Sequence, residues 1–295
     1  MTGFIKGSAT AMITPFTKDG VNFEVFGEMM EYQIANGTDA LVVLGTTGEP
    51  ATMTDEEKEA LMRYAVQKNA GRVKIIFGTG GNCTEKAVKM TKFATELGAD
   101  GILAVTPYYN KCTQKGLIAY YEAICAATPL PVICYNVPGR TGVNILPETM
   151  EAIADIPNIA GIKEASGNMS QVIETARRIR GKCDLYSGED ALNLPILCVG
   201  GTAVISVLSN LVPGKVKALV TAVEEADLAR ANELNDALLP LIRACFIEVN
   251  PIPVKAGMQM LGFQTGVPRS PLTPLEDEHV QVLRTALSSV AEVKA

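Results

Sequence analysis

Asn158-Ile159-Ala160-Gly161-Ile162-Lys163-Glu164-Ala165 is an apolar run that stays apolar until a single lysine near its end. A strand with one face in water alternates apolar and polar residues. An unbroken apolar run is therefore buried on both faces, the mark of parallel sheet. Runs of the same kind occur at Ala9–Ile13, Ala40–Leu44, Val73–Phe77, Gly101–Thr106, Pro131–Tyr135, Asp184–Ser187 and Ala203–Val207. Between them, in Asp55–Asn69, Thr84–Leu97, Gln114–Ala127 and Ser170–Ile179, apolar residues return every three or four positions with charges opposite, as on amphipathic helices. Eight strand-then-helix units predict an α/β fold, a closed (β/α)8 barrel.

The pattern changes after about Pro213. Helical sequence runs through Val216–Ala226, Asp227–Ile247 and Asp277–Val293, broken by proline-marked loops at Asn250–Pro253 and Val267–Pro274. We read residues 1–226 as the barrel and 227–295 as a small C-terminal α-helical domain.

Composition narrows the chemistry. With 295 residues, 47% hydrophobic and 20% charged, the chain has ample material for a core and needs no disulfide staples. A net charge of -6 is the wrong sign for a nucleic-acid scaffold. The seven cysteines are odd in number and never form a CxxC pair, as expected of reduced thiols in a cytosol. The opening MTGFIKGSATAMITPF has no long apolar region before a cleavage site. Nor does any stretch approach the roughly 18 continuous apolar residues of a membrane span, so a cytoplasmic location is expected, with no membrane partner. The one histidine, His279, sits in an acidic run and reads as a solvated surface residue. Histidine-built zinc sites and Ser-His-Asp triads are thereby disfavoured.

In a parallel barrel the substrate site lies at the C-terminal ends of the strands. Lys163 stands at such an end. A desolvated ammonium has a lowered pKa, and the neutral amine attacks carbonyls to form Schiff bases. The competing reading is a structural lysine paired with a carboxylate such as Glu164. Lys255, in Asn250-Pro251-Ile252-Pro253-Val254-Lys255, is also flanked by apolar residues but lies outside the barrel, so it is the weaker candidate. Gly45-Thr46-Thr47-Gly48-Glu49 offers hydroxyls and backbone N–H groups to a small carboxylate. Tyr109 and Tyr135 stand where a phenol passes a proton, and Arg140, in a Pro-Gly turn, where a guanidinium holds a carboxylate. The pair Gly200-Gly201 before Thr202 is a weak signal for phosphate.

GTTGE after the second run, PYYN after the fourth, YNVPGRTG after the fifth, IKEASG at the sixth and YSGED at the seventh together resemble the dihydrodipicolinate synthase family, and the likeness extends to NPIPVK near the C-terminus. The resemblance implies condensation of pyruvate with L-aspartate-4-semialdehyde at the start of diaminopimelate and lysine synthesis, without metal or organic cofactor. It makes Lys163 the Schiff-base lysine and Tyr135 and Thr47 members of a proton relay, completed by Tyr109 across a dimer interface. Thr46 and Thr47 would hold the pyruvate carboxylate and Arg140 that of the semialdehyde, with Gly188 and Ile205 lining the site. It further implies a homotetramer, a dimer of dimers. Pro50, directly after GTTGE, departs from the small residue usual there. The rival readings are a sugar-acid lyase of the same superfamily, against which Arg140 argues, and a non-catalytic keto-acid sensor, which would not need a nucleophile and relay together.

Overall fold

The computed structural model describes residues 3–291 and 293. Its strands are β1 (Gly7–Ala11), β2 (Phe16–Thr17), β3 (Gly20–Val21), β4 (Ala40–Val43), β5 (Lys74–Gly78), β6 (Gly101–Val105), β7 (Val132–Asn136), β8 (Ile159–Glu164), β9 (Asp184–Ser187) and β10 (Ala203–Ser206). Eight of these form a closed barrel in the order β1-β10-β9-β8-β7-β6-β5-β4. Each of the eight apolar runs overlaps one barrel strand, with ends that differ by up to two residues. The short antiparallel pair β2 and β3 has no counterpart in the sequence reading, because its signal is only a Lys18-Asp19 turn between two-residue strands.

The chain divides into two compact units. The first, Met1–Gly7 with Lys74–Ile205, carries the consecutive parallel pairs from β5 to β9 and their connecting helices. Its core includes Ile76, Ile102, Ala104, Ile133, Cys134, Ile162 and Tyr186, all with no exposed surface. The second, Ser8–Val73 with Ser206–Ala295, carries the parallel pair β1 and β4, in register from Ala9 opposite Ala40, and the C-terminal helices. Phe26, Met29, Leu41, Leu61, Val216, Leu241 and Val254 have no exposed surface there.

Local chemistry fixes the helix ends. Asp55–Asn69 begins with a reciprocal capping box: Glu57 N–H donates to the Thr54 hydroxyl and Thr54 N–H to the Glu57 carboxylate. The helix read from Asp227 runs over Leu228–Cys245, because Asp227 spends its carboxylate as the cap, accepting from Arg230 N–H at 2.9 Å. Two expectations are corrected. Asn250–Pro253 is not all loop, since a helix spans Ile252–Met260; prolines there stand at or before the first helical turn, where no N–H is needed. The last helix ends at Ser288 rather than near Val293.

Candidate active site

The ends of β7 and β8 run side by side, with Tyr135 opposite Lys163 and Asn136 opposite Glu164. Successive residues of a strand face opposite ways, so these two cross-strand pairs serve different faces. Lys163 is 4% exposed and its Nζ lies 4.3 Å from the centre of the Tyr135 ring. Burial lowers its pKa from the ordinary lysine value to about 8; the Asp190 charge opposes that shift and the Arg140 charge adds to it. Glu164 does not pair with Lys163. Its carboxylate accepts instead from Ser166 N–H at 2.7 Å and the Asn136 amide at 3.1 Å, and burial raises its pKa.

Gly188 follows β9, and its N–H donates to Glu164 O at 2.8 Å. A methyl group at this position would stand 2.7 Å from Lys163 Cγ and 2.8 Å from Cε. The absence of a side chain at Gly188 thus leaves the room that the lysine stem occupies. Buried Asp190, two residues on, accepts from the Asn193 side chain at 3.1 Å. Ile205 is fully buried in β10. Arg140 is exposed on the one-turn helix Pro138–Thr141, whose end at Gly142 needs a φ of 70°. Tyr109 is 89% exposed at a φ of 69°.

Thr46 and Thr47 belong to the other unit, in a 3-10 turn (Thr46–Gly48) just past β4. Thr14 pins the turn by donating to Gly48 O at 2.7 Å. Buried Thr47 accepts a hydrogen bond from the Asn250 amide at 2.9 Å, which leaves its own O–H to donate elsewhere. Glu49, at a left-handed φ of 56°, sends its carboxylate to Lys255 Nζ at 2.7 Å and accepts from Arg269 N–H at 2.9 Å. Lys255 is therefore a structural ion-pair lysine. Pro50 opens a second 3-10 turn, Pro50–Thr52, a position that suits its fixed φ, and displaces nothing.

Other sequence readings resolve as follows. Gly200 and Gly201 lie between β9 and β10, as read from the sequence, but the N–H groups of Gly201 and Thr202 are already taken by Ile196 O and Leu185 O, so the turn offers little to a phosphate. His279 is half-buried, with Nδ1 2.6 Å from the Glu248 carboxylate, rather than solvated. Asn250, Asp190 and Asn136 were missed, although all three lie inside quoted motifs. Their signal was a polar residue beside an apolar strand end or turn. Among the described residues no cluster of three or more His, Cys, Asp or Glu side chains is gathered as metal ligands would be.

Residues 4–290 match the model of the dihydrodipicolinate synthetase family. The chain belongs to that family. A 4-hydroxy-tetrahydrodipicolinate synthase from Caldicellulosiruptor bescii is 50% identical over 283 residues, 96% of each chain. Among solved structures, one described as the first monomeric dihydrodipicolinate synthase variant is 42% identical, with a TM-score of 0.95 over 97% of each chain. The chloride-inhibited dihydrodipicolinate synthase of Acinetobacter baumannii, complexed with pyruvate, is 40% identical, with a TM-score of 0.94 over 97% of this chain and 99% of that one.

Proposed function

We propose that Lys163 is the nucleophile of a 4-hydroxy-tetrahydrodipicolinate synthase that condenses pyruvate with L-aspartate-4-semialdehyde. One observation carries this: a buried lysine at a strand end, with no ion pair among the described residues, whose pKa burial brings down to about 8. Near neutral pH such a lysine keeps a usable fraction of free amine. Its lone pair adds to the pyruvate carbonyl, and loss of water leaves a protonated imine. That imine draws electrons from the methyl carbon, which gives up a proton; the enamine then attacks the aldehyde. The semialdehyde's own amine displaces Lys163 Nζ to close the ring and free the enzyme.

The remaining roles rest on the resemblance. Tyr135, Thr47 and Tyr109 form the proton relay, Thr46 and Thr47 hold the pyruvate carboxylate, and Arg140 holds that of the semialdehyde. The bond from Asn250 supports the assignment to Thr47, since it fixes the hydroxyl as a donor. The 89% exposure of Tyr109 supports its service to a neighbouring subunit, and we propose a homotetramer built as a dimer of dimers. We also propose a catalytic barrel over 1–226, a helical domain over 227–295 and a cytoplasmic location. Seven free cysteines, and no described helix long and apolar enough to cross a membrane, support that location.

The test is borohydride reduction with pyruvate, followed by peptide mapping. The adduct is expected on Lys163, and Lys163→Ala should lose at least about 10³-fold in kcat. An adduct on Lys255 would overturn the assignment. Mixing Lys163→Ala with Tyr109→Phe protein should restore part of the activity if Tyr109 acts across subunits.

A further inference from the structure

The outward-facing pair at the ends of β7 and β8 builds a clasp around the loop that carries Arg140. Asn136 Oδ1 accepts from Ile145 N–H at 2.9 Å, while its Nδ2 donates to Asn144 Oδ1 at 2.9 Å and to Glu164 Oε2 at 3.1 Å. One side chain thereby ties the start of the 137–143 loop to its end. Glu164, with no exposed surface, is in turn fixed by Ser166 N–H at 2.7 Å. On the outer side, Asn144 and Gln171 exchange two hydrogen bonds, 2.7 and 3.0 Å long. Gln114 Nε2 donates to Asn144 O at 2.8 Å. Inside the loop, the Thr141 hydroxyl donates to Val143 O at 2.9 Å.

We infer that Asn136 and Glu164 are positioning residues for Arg140, acting on recognition of the second substrate's carboxylate rather than on formation of the pyruvate imine. The inference rests on the proposed role of Arg140. A buried carboxylate is costly unless its acceptor sites are filled, and nothing in imine chemistry calls for one on the face opposite Lys163. Its cost is explained if it orders a loop. Arg140 is carried on a one-turn helix too short to hold its own backbone, so the base of the loop helps to set where its guanidinium stands.

The polarity of the clasp supplies the experiment. Glu164 only accepts, and the Asn136 amide that faces it only donates. Asn136 Nδ2 reaches both Glu164 oxygens, Oε2 at 3.1 Å and Oε1 at 3.3 Å; Glu164→Gln keeps its Oε1 on Ser166 N–H and sets an NH2 group against the shorter of those two bonds. Asn136→Asp sets two carboxylates together. The double swap, Asn136→Asp with Glu164→Gln, reverses the polarity and regains the contacts once the terminal amides of Asn144 and Gln171 turn over.

Each single variant should raise KM for the semialdehyde by about tenfold or more, since a loosened positioning group costs orientation. Pyruvate imine formation, read by borohydride trapping, should change by less than about twofold, because it depends on the inner face. The double swap should bring KM back toward the parent value, a rescue that loss of general stability would not produce. Trapping that falls as far as semialdehyde handling, or a double swap no better than the singles, would overturn the inference. Arg140→Ala is measured alongside. If it leaves the semialdehyde KM unchanged, the role of Arg140 fails; if it raises KM while neither clasp variant does, the clasp alone fails.

Discussion

Among the described residues each of the two units buries one lysine, and the two sites share most of their features. Lys163 is 4% exposed and Lys255 1%. Each Nζ stands over an aromatic ring, Tyr135 at 4.3 Å and Phe16 at 4.2 Å. Burial lowers both pKa values. They part at the carboxylate. Lys255 has Glu49 at 2.7 Å, itself 1% exposed, whereas Lys163 makes no ion pair among the described residues and feels the charge of Asp190. Burial alone therefore does not make a nucleophile. On the proposed assignment the carboxylate makes the difference, because an ammonium committed to a buried ion pair must break it before its lone pair becomes available.

This contrast predicts stability effects of opposite sign. Lys255→Met strands Glu49 in the core, a change that typically costs about 3–5 kcal/mol. Lys163→Met removes a group that folding leaves worse solvated. The folded pKa of about 8 lies below the unfolded value of 10.5, so below about pH 8 the folded state carries the full penalty of the buried charge. That penalty is about 3 kcal/mol by linkage, and it fades as pH rises from about 8 to 10.5, where the unfolded chain binds the extra proton. Urea denaturation at pH 7 should find Lys163→Met more stable than the parent and Lys255→Met less, and the gain of Lys163→Met should shrink at pH 9.5. Destabilisation by both would show that Lys163 has a stabilising partner and would dissolve the distinction.

The same pair shows what sequence could and could not carry. The barrel was legible because strands buried on both faces leave an apolar signature in every repeat, and Lys163 was legible as a lysine at the C-terminal end of such a run, where a barrel places its site. Lys255 was ranked below it for lying outside the barrel, whereas the structural reason is its ion pair. Glu49 is 206 positions away, and no local pattern reports a contact at that distance. The bond between Asn250 and Thr47, 203 apart, escaped for the same reason. The helix over Ile252–Met260 was hidden by prolines that mark loops in most settings but suit a first helical turn. In Asn136 and Glu164 the motif letters were read, but which face each residue served required the register of β7 against β8.

A second prediction sharpens the contrast from the side of Gly188. Gly188→Ala places a methyl 2.7 Å from Lys163 Cγ, so either the lysine stem or the turn after β9 must move. Pyruvate trapping should slow by roughly 10 to 100-fold, as a shift of about 1 Å in a reacting group does. The Lys255 site has no such glycine beside its stem among the described residues, and its ion pair should survive. Urea denaturation supplies the control. A Gly188→Ala protein that traps pyruvate at the parent rate would show that the lysine stem is freer than its packing indicates.

The smallest expected effect is a displacement in pH, and it tests whether Lys163 is governed by fields rather than by a partner. Imine formation needs the free amine, so the trapping rate should rise with pH through the lysine's pKa of about 8. Asp190 favours the ammonium and holds that midpoint up; Arg140 disfavours it and holds the midpoint down. Asp190→Asn should therefore move the trapping profile to lower pH and Arg140→Ala to higher pH, while both leave a profile of the same single-proton shape. Burial is the larger cause of the lowered pKa, and neither variant alters it, so both midpoints should stay below the ordinary lysine value of 10.5. Lys255 offers the opposite case: there the carboxylate is in contact, and removing it would release an ammonium rather than nudge one. If Asp190→Asn abolished the titration instead of shifting it, Asp190 would be a bonded partner of Lys163, and the two buried lysines would be alike after all.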